Sequence, residues 1–190
     1  FSVDFFAPST PEEIAWQTQR ILQTRADALP LVDIRPVPSR GCSEILIYAR
    51  DQANLFVRIT ALLDQRALNV VDARIMTTAN GMALNIFRAL TPDHHAIEPG
   101  ETTDALIEQL REELRDLSSD EVRVTRRLPR QNRYFPIETR ISFGEDATNR
   151  RTMMRLTTLD RPGLLAEIGA VFEQCDIRLQ SAKIATVGAE

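Results

Sequence analysis

Residues 43–81 align without a gap on residues 152–190 at a constant offset of 109, and this internal repeat is what most restricts the fold. Asp51 falls on Asp160, Leu55 on Leu164, Ile59 on Ile168 and Ala61 on Ala170. Gln65 then falls on Gln174, Ala73 on Ala182, Ile75 on Ile184 and Thr77 on Thr186. The identities are few, but the apolar pattern agrees along the whole stretch, so one supersecondary unit is used twice.

Each copy reads strand, tight turn, helix, strand. In the first, Glu44-Ile45-Leu46-Ile47-Tyr48-Ala49 is a β-rich run, and Leu55, Phe56, Ile59, Leu62 and Leu63 recur at helical spacing on one face. Asp51 or Asn54 is the expected cap of that helix, because a short polar side chain can accept from the free N–H groups of the first turn. Residues 70–77 form the next strand, Asn80-Gly81 the hairpin turn and residues 82–87 the return strand. Leu106, Ile107, Leu110, Leu114 and Leu117 mark a second helix, and Glu121-Val122-Arg123-Val124 a fourth strand. The order is βαββαβ: an α+β fold with an antiparallel sheet and helices on one face.

The second copy repeats this through residues 177–186 and stops where the first makes its Asn80-Gly81 turn. Its first strand therefore has an open edge, to be met by an extra strand at residues 139–143 or by a second molecule, which would give a homodimer through sheet edges or helices. The expected division is an upstream helix and linker at 1–42, a first module at 43–125, a basic linker with the extra strand at 126–151, and the N-terminal half of a second module at 152–190. Thr10-Pro11-Glu12-Glu13 is a capping box that opens an upstream helix through Ile14, Trp16, Ile21 and Leu22, outside both modules. The missing initial Met suggests a piece of something longer.

Composition removes several function classes. A net charge of −4 disfavours nucleic acid as the main partner. No run of about 18 apolar residues is present to span a membrane. Two distant cysteines, Cys42 and Cys175, build neither a disulfide framework nor a zinc site, which fits the cytoplasm. His94 and His95 are adjacent, point apart and lack a third spaced ligand, so they read as loop residues and not as a metal site. No phosphate-binding glycine loop, nucleophile elbow or metal-dependent phosphohydrolase motif occurs, so no catalytic residue is assigned.

The segment Leu159-Asp160-Arg161-Pro162-Gly163-Leu164-Leu165 resembles the first turn of an ACT domain, a βαββαβ module that binds small metabolites, often amino acids. The phrases Pro11-Glu12-Glu13-Ile14-Ala15-Trp16, Ile47-Tyr48-Ala49-Arg50-Asp51-Gln52, Asp72-Ala73-Arg74-Ile75 and Ala182-Lys183-Ile184-Ala185-Thr186 extend the likeness. They resemble the tandem ACT region of the bifunctional uridylyltransferase/uridylyl-removing family, which modifies the nitrogen-regulatory PII protein. The resemblance implies catalytic domains outside this chain, magnesium as their cofactor, and glutamine as the effector sensed by the ACT pair. Two rivals remain: the ACT region of another metabolic enzyme or stringent-response protein, and an RRM-like RNA-binding module, which shares the element order but needs paired aromatics on its central strands.

The candidate ligand residues are Asp160, Arg161, Gly163 and Leu164 in the second module, and Asp51, Asn54 and Leu55 in the first. Gly163 permits close approach of a ligand to the N–H groups of a helix start, where a carboxylate is favoured. Asn54 stands at the same place in the first module, fills space and can enter the left-handed region. Arg126, Arg127, Arg130 and Arg133 beside Tyr134 and Phe135 read as a solvated linker, with docking to a partner as the alternative.

Overall fold

The computed structural model describes residues 9–52, 54–115, 138–146, 151–161 and 163–186. The elements are helix α1 (Pro11–Gln23), strands β1 (Leu31–Val37) and β2 (Cys42–Arg50), helix α2 (Leu55–Gln65), and strands β3 (Asn69–Thr77) and β4 (Met82–Leu90). They continue with helix α3 (Glu101–Arg115), strands β5 (Arg140–Asp146) and β6 (Arg151–Thr157), helix α4 (Leu164–Gln174) and strand β7 (Ser181–Ala185). The expected fourth strand at 121–124 and the Arg126–Phe135 cluster lie outside the described residues.

The fold is α+β, with a five-stranded sheet ordered β1-β2-β4-β3-β7 and a two-stranded sheet of β5 and β6, antiparallel throughout. Within the first module β2, β4 and β3 take the side-by-side order of an ACT-like ferredoxin sheet. The place beside β2 is filled by β1, so a boundary at residue 43 leaves a strand of this sheet in the supposed linker. In residues 31–37 the alternation Val32, Asp33, Ile34, Arg35 lasts only four residues before Pro36, the lower limit of a strand signal.

β1 also lengthens the repeat. Its register on β2, Val32 opposite Ile47 and Ile34 opposite Ile45, is reproduced by Ile141 opposite Leu156 and Phe143 opposite Met154 in β5 and β6. Each of these residues is moved by the same offset of 109. The strand expected near 139–143 is thus not an extra one but the counterpart of β1, and it satisfies one edge of β6. Among the described residues, no strand pairs with the other edge of β6 or with the second edge of β7.

α2 and α3 cover one sheet face, where Ile45, Ile47, Phe87, Ile59, Leu63 and Leu110 form the buried core. The apolar stripes at helical spacing in α2 and α3 put these side chains inward. α1 lies on the opposite face, which corrects its placement outside both modules: Trp16 and Ile21 pack on Leu31, Leu46, Met76, Leu84 and Ile86. The capping box is present, with Glu13 N–H donating to Thr10 Oγ1 at 3.2 Å and Thr10 N–H to Glu13 at 2.9 Å. Leu22, expected on the apolar face, is 79% exposed.

The two modules meet along β3 and β7, and the pairing is self-complementary. Arg74 stands opposite Lys183, its own counterpart in the repeat. Thr77 N–H donates to Gln180 C=O and Thr186 N–H to Val71 C=O, each at 3.0 Å, two bonds exchanged by the same offset. A local twofold axis therefore passes through the Arg74–Lys183 pair. On the helix side α2 and α4 approach closely: a Cβ on Gly169 would lie 2.9 Å from Val57 Cγ2 and 3.2 Å from Val57 Cα. Glycine is what lets the two backbones come this near.

Candidate functional site

The two strand-to-helix loops have the same backbone. Leu55 N–H donates to Gln52 C=O at 3.3 Å and Arg58 N–H to Asn54 C=O at 2.9 Å. In the second module Leu164 N–H donates to Arg161 C=O at 3.1 Å and Glu167 N–H to Gly163 C=O at 2.9 Å. The residue before each helix is left-handed, Asn54 at φ 69° and Gly163 at φ 76°. Glycine adopts this conformation freely and asparagine at small cost, which is why the pair can interchange across the repeat. The expected cap from Asn54 is absent: its side chain makes no hydrogen bond to its helix, and Gly163 at the same place has none to offer.

The side chains differ. Asp160 is exposed and its Oδ2 accepts from Thr186 Oγ1 at 3.1 Å. Arg161 is ion-paired with Glu167, Nη1 donating to Oε1 at 2.7 Å and Nη2 to Oε2. The hydrogen bond from Arg161 holds the Glu167 carboxyl below the usual carboxylate range, against the opposing pull of partial burial, and Glu167 in turn raises the Arg161 guanidinium. Arg161 is thus tied to Glu167 in the first turn of α4. Gly163 is buried and Leu164 half-buried. In the first module Asp51 anchors its loop to the β3–β4 turn through its N–H, which donates to Gly81 C=O at 2.8 Å. Leu55 is packed in the core, so its side chain serves the fold.

Thr186 joins the site although the candidate residues did not include it. Its hydroxyl reaches Asp160 while its N–H crosses to Val71 on the first module. The loop is thereby tied to the seam between modules. The repeat identity of Thr77 and Thr186 was the signal available in sequence. What the arrangement offers a ligand is one exposed carboxylate suited to an ammonium group and a helix start, free of a side chain at Gly163, suited to a carboxylate. Among the described residues no group of three His, Cys, Asp or Glu side chains is placed to hold a metal, and no helix is long and apolar enough to cross a membrane.

Curated relatives match the chain over nearly its whole length. A protein of Vibrio atlanticus is 38% identical over 188 residues, 99% of this chain and 21% of that protein. One of Methylococcus capsulatus is 40% identical over 185 residues, 97% of this chain and 21% of that protein. A third, of Vibrio cholerae, is 38% identical over 188 residues. Each is named a bifunctional uridylyltransferase/uridylyl-removing enzyme. This chain is homologous to one segment of those enzymes. It spans about a fifth of their length (21%). No family model and no solved structure matches the chain.

Proposed function

We propose that this chain is the amino-acid-sensing region of a bifunctional uridylyltransferase/uridylyl-removing enzyme, with glutamine as effector. On this reading the catalytic domains, which would use magnesium and act on the PII protein in the cytoplasm, lie outside the chain. The effector acts by linkage: it binds one arrangement of the paired modules better and so shifts the balance between the two activities.

The observation that carries the reading is Thr186, which connects an exposed carboxylate on the effector loop to the intermodule seam. A ligand whose ammonium group engages Asp160 competes for the Thr186 hydroxyl and so acts on the seam directly. The names of the relatives supply the enzyme. The RNA-binding rival is disfavoured, since the sheet face it would need is covered by α1 in the first module.

Calorimetric titration of the chain with L-glutamine tests the proposal, with L-alanine and L-glutamate as controls. Glutamine is expected to bind with a dissociation constant at or below about 1 mM, ~4 kcal/mol of binding free energy, and L-alanine not to bind. Equal heats for all three amino acids, or none, would refute it.

A further inference from the structure

α1 is held on the sheet by two unlike zones. Toward its C-terminal end Trp16 and Ile21 make an apolar contact beside the Arg20–Asp33 ion pair; toward its N-terminal end lies a buried charge network. Glu13 and Gln17 are 2% and 0% exposed, and they face Glu44, Arg74 and Arg88, which are also buried. Gln17 donates to Glu44, and Arg35 reaches the same carboxylate at 3.2 Å. Glu13 accepts from Arg40 at 2.8 Å and from Arg88 at 3.3 Å. Arg88 Nη1 lies 3.5 Å from Asp72, and Arg74 Nε lies 4.0 Å from the same oxygen. A buried ion pair adds little stability over an apolar contact of the same shape, and its best-attested use is to fix one arrangement against another.

Asp72 and Arg74 are seam residues, opposite Ala185 and Lys183. The pairing of β3 with β4 slips between Val70 and Asp72, which leaves Val71 as a bulge. A bulge is where a strand bends most easily. The carbonyl of Val71 is the one that accepts from Thr186.

We propose that the Val71 bulge relays effector binding from the Asp160 loop to α1, through Asp160, Thr186, Val71, Asp72, Arg88 and Glu13. The inference deepens the sensing role proposed above and rests on it. With the loop empty, Asp160 holds the Thr186 hydroxyl and the seam keeps Asp72 against Arg88. An ammonium group that takes over Asp160 releases Thr186, the bulge relaxes, and the polar end of α1 loosens from the sheet. α1 is then the arm by which the paired modules move whatever chain precedes them.

Hydrogen–deuterium exchange of the whole chain tests this, with L-glutamine as the probe and calorimetry in parallel. Saturating glutamine is expected to raise exchange of the Pro11–Gln23 amides by about threefold or more. Asp72→Asn should keep glutamine affinity within about twofold while the response of α1 disappears. Unchanged exchange in α1 at saturation, or a full response in Asp72→Asn, overturns the relay. If glutamine does not bind, the effector assignment fails and the relay is read from Thr186→Val alone. That variant should raise α1 exchange about threefold in the wild-type background and not in Asp72→Asn. Equal effects in both backgrounds overturn it. Arg88→Lys replaces Asp72→Asn should the latter fail to fold.

Discussion

The first and second modules share a backbone and differ in what covers it. β1 and β2 of the first present Leu31, Leu46 and Tyr48 to α1, and the same positions in β5 and β6 are Arg140, Arg155 and Thr157. Those three are exposed, as is Lys183, the counterpart of the buried Arg74. Where α1 lies on the sheet the sequence is apolar with a paired charge network; where no described helix lies on it the sequence is cationic and hydroxylic. On the other face both hairpins stay apolar, yet Ile34 is buried while its counterpart Phe143 is 72% exposed. The two faces of the second hairpin thus carry different information. The cationic face is matched to solvent, whereas the apolar one is built for cover of the kind that α2 and α3 give the first module.

Exchanging one residue between the modules should break this comparison most sharply. Leu46→Arg places a cation under α1 with no added carboxylate, and is expected to lower stability by about 4 kcal/mol in denaturant unfolding. The reverse change, Arg155→Leu, sits in the open and is expected to stay within about 0.5 kcal/mol of wild type. Similar losses from both would mean that the faces are not distinguished by burial.

Glu13→Gln is next in size, and it carries a pH signature that the second module cannot show, having no described counterpart of α1. Burial by itself would raise the Glu13 carboxyl. The hydrogen bonds from Arg40 and the Thr10 N–H, and the charges of Arg88 and Arg40, outweigh it and bring the carboxyl below its ordinary 4.5. A carboxyl depressed in the folded state contributes stability that is present above the unfolded value and is lost as pH falls through the folded one. Wild-type stability should therefore decline below about pH 4.5, and Glu13→Gln, less stable by about 3 kcal/mol near neutrality, should decline less steeply there. Parallel acid limbs in the two proteins would remove Glu13 from the network.

Much of this architecture was legible in sequence because apolar periodicity reports burial directly. α2, α3 and α4 fall where their stripes put them, and the capping box marks the start of α1 to the residue. β1 was hard to read, since its apolar–polar alternation runs only from Val32 to Arg35 before Pro36, with Asp33 and Arg35 serving salt bridges with Arg20 and Glu44 on the α1 face. For the same reason the repeat looked shorter than it is. At the candidate site the loop backbone could be read from Asp160 and Gly163, but for Thr186 the repeat identity with Thr77 marked only the position: its role depends on a neighbouring strand from the other module. The pairing of Arg161 with Glu167 spans six residues and crosses the start of a helix, a contact that sequence spacing alone does not single out.

A small change in stability is expected of Gly163→Asn, which makes the second loop resemble the first. The backbone there is left-handed at φ 76°, and Asn54 holds φ 69° at the same place in the first module. The loop hydrogen bonds on either side correspond one for one, so the fold already demonstrates that asparagine can stand in this conformation. The cost should therefore be no more than about 1 kcal/mol, and unfolding should shift by only a few degrees. Binding is another matter if the loop receives an effector. A side chain at residue 163 occupies the approach to the N–H groups of α4, and glutamine affinity should fall about tenfold or more, roughly 1.4 kcal/mol. Calorimetry on the folded variant separates the two effects. A variant that binds glutamine like wild type would make Gly163 a turn residue only, and the difference between Asn54 and Gly163 would then say nothing about which module senses the ligand.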